Sequence, residues 1–368
     1  MVEGLYQIDW SQLTHAYGEA VDVPGLILAL ASPEQEDRDM AFEMLRDNIW
    51  NRGAVFEATA YAVPFLIQLL EHPGVEDKGR LLVFLAQLST GDSPLDVLRA
   101  AGLLNLDEAD PDVRLRVAME RNWARVTRRA VRRGMSVYQH NLESLEPDDR
   151  TAAAYLLACF HQESARLAPQ LIRRLGFERH PLAQASLVLA LGILDIGNSG
   201  HLGILSSIQA GDLHPLVRLA AAMVLARTLR EQTPDSVLET LVDGLSSYDP
   251  ELPALYARLP WADSHLFGDL SLVLCYLGQR RAHLILPDML GALQRVDPVS
   301  AVNVAYALLY LAFGPDAAID PRALGDPQLA VLASLAESDV MGETPDELAE
   351  ILQMFNLPDS VEGLRKFQ

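Results

Sequence analysis

The sequence predicts an all-α fold, an α-solenoid of stacked antiparallel helix pairs, on three observations. A short pattern recurs at a fixed interval: Pro147, Pro181 and Pro215 stand 34 residues apart, and each opens an Ala- or Leu-rich apolar run. In that alignment Ala154, Val188 and Ala222 share one register, Leu157, Leu191 and Leu225 a second, and Ala158, Gly192 and Ala226 a third. No stretch alternates apolar and polar residues over the length of a strand. A period in the thirties with small residues at helical spacing marks a helical repeat array, because each unit leaves an apolar face for the next to cover.

Taken in order, residues 1–109 read as N-terminal repeats. Asp9–Tyr17 and Val23–Leu30 are expected as two short helices, the second with Pro24 in its first turn. Pro33 precedes a helix over Glu34–Ile49 whose apolar side is Met40, Phe42, Met44, Leu45 and Ile49. The chain turns at Asn51-Arg52-Gly53. Val55–Leu70 is expected to be helical with a break at Pro64, placed at a helix start because its ring removes an interior hydrogen bond. Leu81–Leu88 follows and ends at Thr90-Gly91-Asp92. Residues 110–134 form one longer helix, opened by Asp110 and Pro111 and closed by Gly134. Residues 135–245 hold the regular repeats. Each has a first helix such as Val137–Leu145 or His201–Ile208, a Pro-bearing turn and an Ala-rich second helix. Pro250, Pro253 and Pro260 make residues 246–263 an irregular insertion. Within residues 264–368 the helices Leu266–Leu277, Ala282–Val296 and Pro298–Phe313 resume the pattern. Pro327–Leu335 and Pro345–Phe355 form a polar cap.

The charge narrows the partner class. Against 29 Lys and Arg stand 50 Asp and Glu, a net −21 at neutral pH. Such a surface repels a phosphate backbone and anionic lipid, and favours basic or apolar partners. Cys159 and Cys275 both sit in apolar helical runs and read as buried thiols, in keeping with a reducing compartment. The first ten residues carry no leader pattern, and no uncharged run reaches the roughly 18 residues that a membrane span needs. A cytoplasmic protein is expected.

Two constellations are candidates for binding. Arg114, Arg121, Arg125, Arg128 and Arg132 step by 7, 4, 3 and 4, which lines them along one stripe of the long helix, with Val117, Ala124 and Val131 on a less polar side. Between Asp110 and Arg133 eight Arg face three acids, a local +5 that leaves −26 elsewhere. Such a stripe either lies against acidic neighbours in the same chain or binds an anionic partner through the arginine fork. The second is the repeat-equivalent row Tyr155, Leu189 and Met223, with Arg227 one turn on. It is either a groove for a partner helix or core between layers. Arg38, Arg114, Arg150 and Arg218, at the starts of second helices, are expected to pair with acids of adjacent turns such as Asp149 or Asp212, forming a ladder. Nine histidines are scattered without metal-binding spacing. No phosphate-binding loop, nucleophile elbow or dinucleotide fingerprint occurs, so no catalytic residue, metal or cofactor is assigned.

Pro-x-x-Arg-x-x-Ala-Ala-x-x-Leu-Ala, as it stands at Pro147–Ala158, resembles the HEAT repeat. The run Gly53–Leu66 is similar to one in bacterial HEAT-repeat proteins of unassigned function. The resemblance implies an armadillo-type superhelix whose second helices line a concave side and hold a protein partner. The long helix at 112–133 and the insertion depart from it. On this expectation the chain is a non-catalytic scaffold, its partner held by Arg121, Arg125, Arg128, Arg132, Tyr155, Met223 and Arg227. The negative charge suits an inhibitor or immunity-type role against a basic toxin domain. HEAT-like DNA glycosylases and phycobilin lyases show that the scaffold can carry chemistry. The alternative is therefore a nucleic-acid-binding or glycosylase-like protein using the Arg-rich helix, where Trp123 is the one aromatic that hints at it. The paired His-Glu di-iron arrangement of HEAT-repeat hydroxylases has no counterpart in the spacing of these histidines.

Overall fold

The computed structural model describes residues 2–104, 110–194, 199–247, 249–262, 265–314, 324–338 and 345–367. It is almost wholly helical and divides into two compact units, Met1–Gly176 and Phe177–Gln368.

The first unit begins with two single 3₁₀ turns, Leu5–Gln7 and Trp10–Gln12, and a small hairpin, β1 (Thr14–His15) with β2 (Gly18–Glu19). The helix expected over Asp9–Tyr17 does not form. Gly18, at φ 136°, lets the chain double back, and Ala20 N–H bonds the Leu13 carbonyl at 2.9 Å. Thr14 adds an amide and a hydroxyl bond to Glu57 at 3.2 and 3.1 Å. Helices α1 (Val23–Ala29) and α2 (Gln35–Ile49) lead into a second hairpin, β3 (Trp50–Asn51) with β4 (Ala54–Val55). There follow α3 (Thr59–Glu71), α4 (Lys78–Thr90), α5 (Pro94–Ala100), α6 (Pro111–Arg133), α7 (Met135–Asn141), α8 (Pro147–Ala158) and α9 (Ser164–Phe177). Pro64 lies inside α3 and not at a helix start. The N–H it lacks leaves the Ala60 carbonyl without its usual partner, a loss that the apolar burial of Ala62, Val63, Phe65 and Leu66 offsets.

Successive helices of this unit stack. Phe42 of α2 meets Phe84 of α4 edge-on at 5.3 Å, and the Arg80 guanidinium lies 3.8 Å over the Phe42 ring while bonding Asp39 and Glu43. α4 packs in turn on α8, and α3 on α7, although the chain between them makes the long excursion through α5 and α6. α6 lies against both α3 and α4. The arginine ladder takes a partly different form. Arg38 reaches Glu76 and Asp77 of the next turn at 2.7 and 3.3 Å, as expected. Its Nη1 also donates to the carbonyls of Ser32 and Pro33, as Arg150 Nη1 does to those of Ser144 and Leu145. In both places the serine hydroxyl donates to the acid preceding the arginine, Ser32 to Asp37 and Ser144 to Asp149. Arg218 likewise donates to a carbonyl, that of Gln209. These guanidiniums cap carbonyls of the turns, and for Arg218 of the C-terminus of the helix Ser199–Ala210, that the helices leave unpaired.

In the second unit α10 (Pro181–Leu194), α12 (Pro215–Leu229), α15 (Leu266–Cys275) and α17 (Pro298–Phe313) form one row. Beside it α11 (Ser199–Ala210), α13 (Asp235–Ser246), α16 (Ala282–Leu293) and α18 (Asp326–Glu337) form the other, closed by α19 (Pro345–Met354) and α20 (Val361–Phe367). This two-row stack is a helical solenoid. The prolines at 147, 181, 215 and 298 are the first residues of α8, α10, α12 and α17, where the missing N–H costs nothing. Ala154, Val188, Ala222 and Ala305 are all fully buried. Among its described residues the insertion holds one short helix, α14 (Glu251–Tyr256), pinned by Tyr256 Oη on Asp269 at 2.7 Å and by Trp261 Nε1 on Ser186 Oγ at 2.9 Å. Its expected last residue, Asp263, lies outside the described residues.

Candidate partner-binding face

The geometry of α6 sorts its arginines into two groups. The helix buries Val117, Glu120, Ala124, Thr127 and Val131 against α3 and α4. The predicted stripe runs along the flank of that face, within reach of the neighbouring elements. Arg121 makes a two-pronged contact with Asp96 of α5, both bonds 2.7 Å. Arg128 Nε donates to the Ser89 carbonyl at the end of α4 at 2.8 Å, and Arg132 bonds Glu163. Arg125 donates to Asn122 one turn away. Arg121, foremost, and the Ser93 hydroxyl hold the Asp96 carboxyl well below its ordinary range, at about 2, against the opposing effect of burial. Glu120, buried beneath, accepts the Leu95 amide at 2.9 Å and Arg116 at 3.0 Å.

The face turned away from the protein is different. Leu115, Met119 and Val126 are 62, 53 and 38 % exposed. They step by 4 and 7 and continue through Arg129 and Arg133, so one apolar line with a basic end points outward. The same helical spacing that marks the arginine stripe in the sequence marks this line as well.

The second predicted row does not make a groove. Met223 is 2 % and Leu189 5 % exposed, so both fill space between helices, and of this set only Tyr155, partly, and Arg227 reach the surface. The physical reason is the small residues at the neighbouring repeat positions. They bring α10 and α12 so close that the ninth residue of both helices is enclosed. In α17 the same position is Tyr306, which remains half-buried, stacked on Tyr310 and tilted against Phe355 at 6.2 and 5.8 Å. Nearby Arg230, at φ 53°, lies over the Tyr276 ring.

The thiols are directed to backbone carbonyls, Cys159 to Tyr155 and Cys275 to Ser271. Burial pushes Cys275 up to about 12 and Cys159 upward too, which keeps both protonated at neutral pH. Among the described residues no group of three His, Cys, Asp or Glu side chains is placed to hold a metal ion. No helix among them is long and apolar enough to cross a membrane.

No protein-family model matches the sequence, and no curated protein matches it significantly. Among solved structures, an engineered protein is 17 % identical, with 94 % of this chain and 89 % of that one covered, at a TM-score of 0.35. Kap95p, in a complex with RanGDP, is 13 % identical over 90 % of this chain and 48 % of its own length, TM-score 0.38. Human deoxyhypusine hydroxylase is 15 % identical over 91 and 96 %, TM-score 0.30. The architecture described above rests on the helices of this chain and not on these distant likenesses.

Proposed function

We propose that this chain is a non-catalytic helical-repeat protein that holds a protein partner on the outward face of α6. The observation that supports it is the exposed line Leu115, Met119 and Val126 running into Arg129 and Arg133. Three solvent-facing apolar side chains at helical spacing match the anchor pattern of a helix laid against another helix. The arginines at the end of the line select the partner's charge. Its complement is an acidic amphipathic helix, in contrast to the basic surface that the rest of this acidic chain favours. Arg121, Arg128 and Arg132 then have a second duty. Their bonds to Asp96, Ser89 and Glu163 fix α6 so that the line is presented in one orientation. Inhibition of a basic toxin domain, which the overall charge suits, calls for an acidic surface and is a separate reading from this one.

A photo-crosslinking residue at Met119, compared with one at exposed Glu239 on α13, tests the face in the source cells. A discrete protein adduct at 119 alone is expected, and its loss in V126E/R129E/R133E identifies the face. Equal crosslinking at both positions, or none at 119, removes the reading. Electrophoretic binding to duplex DNA distinguishes the other class. No salt-sensitive shift is expected at moderate salt, and one abolished by R125E/R129E/R133E would replace the protein partner with a nucleic acid.

A further inference from the structure

A cavity of about 680 Å³ opens in the first unit beside the two hairpins, within the range that small-molecule sites occupy. Tyr17 comes from the first hairpin, Trp50 and Arg52 from the second, Phe56 from the strand exit, and Val97 and Leu98 from α5. The Tyr17 hydroxyl accepts from Asn51 Nδ2 at 3.0 Å, which ties the hairpins together and preforms the wall.

Arg52 occupies a costly position. With Asn51 paired to Ala54, Arg52 and Gly53 are the two central residues of a two-residue hairpin, at φ 51° and 92°. Such turns take Gly, Asn or Asp at both places, because a Cβ crowds the left-handed backbone. Here a long cation stands where glycine would relax the turn. Strain of this kind persists where the side chain is needed for something other than folding. Arg46 on the same wall is engaged by Glu43 and Asp47 at 2.8 and 3.7 Å, whereas Arg52 has no ion pair among the described residues. The Trp50 indole N–H is buried without an acceptor among the described residues.

We propose that this cavity binds a small organic acid, its carboxylate held by Arg52 and its aromatic or branched body against Trp50, Phe56 and Leu98. Arg46 and Asp47 offset each other, so the lining carries one net positive charge, which matches a single carboxylate better than a phosphate. Apart from Asn51 the remaining wall is apolar and aromatic, which suits an organic body better than a hydrated inorganic anion.

The test is a titration of the full chain with 3-phenylpropionate, read by intrinsic tryptophan fluorescence and by ligand-detected NMR. Saturable binding is expected, with the fluorescence change absent in W50F. R52G should bind at least about tenfold more weakly while melting no lower than the parent, because glycine relieves the turn. That combination separates a ligand-holding arginine from a structural one, whose loss would lower the melting temperature. No saturable binding of 3-phenylpropionate, equal binding of 3-phenylpropionamide, displacement by inorganic phosphate at equal concentration, or unchanged affinity in R52G each overturns the proposal.

Discussion

Asp96 is where the chemistry of a single side chain bears most on the candidate face. Its carboxyl, 12 % exposed, is gripped by Arg121 and capped by Ser93. In an unfolded chain a carboxyl of this kind titrates near about 3.9, and in the folded protein at about 2. A depressed folded-state value means that the contribution is fully present above the unfolded value and is lost as pH falls through the folded one. D96N should therefore be less stable than the parent at neutral pH. The difference between them in urea midpoint should shrink between about pH 4 and pH 2; a difference that stays constant across that window would show that Arg121 is not the cause. The spacing of the arginines was readable from the sequence. Their partners were not, because Asp96 lies 25 residues upstream on a separate short helix, and no spacing in the sequence says that the two helices meet. Met223 shows the complementary gap. A repeat period assigns equivalent positions, but not which of them faces a neighbour, and the enclosure of Met223 follows only from how near α10 and α12 lie.

That approach is itself testable at the level of the helix pair. A methyl group built on Gly192 of α10 would stand 2.6 Å from Val224 Cγ2 of α12. G192A should lose about 1–3 kcal/mol by overpacking, measured by chemical denaturation. V224A should restore part of that loss when combined with it, since the cavity it leaves accepts the new methyl. Independent, additive losses would place the clash elsewhere. Gly192 was legible as one of three small residues in a common register, and the helix starts at Pro147, Pro181, Pro215 and Pro298 were legible because proline costs least in a first turn. The two hairpins were not, since strands of two residues carry no alternation to detect. Pro64 misled for a related reason: the usual penalty of an interior proline was outweighed by the burial around it.

Charge is a property of the molecule as a whole. At −21 the acidic side chains repel one another across the surface, and screening should relieve this. The melting temperature is expected to rise as NaCl increases from about 10 to about 150 mM, a range over which the screening length falls markedly. A fall would mean that the surface ion pairs, such as Arg80 with Asp39 and Glu43, outweigh the repulsion. Fold class was the most legible feature, because it is written redundantly in period, small-residue register and the lack of alternation. The outward line of α6 was legible in principle, as its spacing shows, but nothing in a sequence says which side of a helix its neighbours leave uncovered.

The direct packing of α4 on α8 has a consequence for how such a protein can change. The two helices close on each other as though the 56 residues between them, 91–146, were absent, and the same serine-acid-arginine latch recurs before and after the excursion. α5 and α6 are thus a branch grafted onto a trunk whose joints stay the same on either side. Residues on the outer side of that branch are free to diverge and acquire new affinities while the trunk keeps its form.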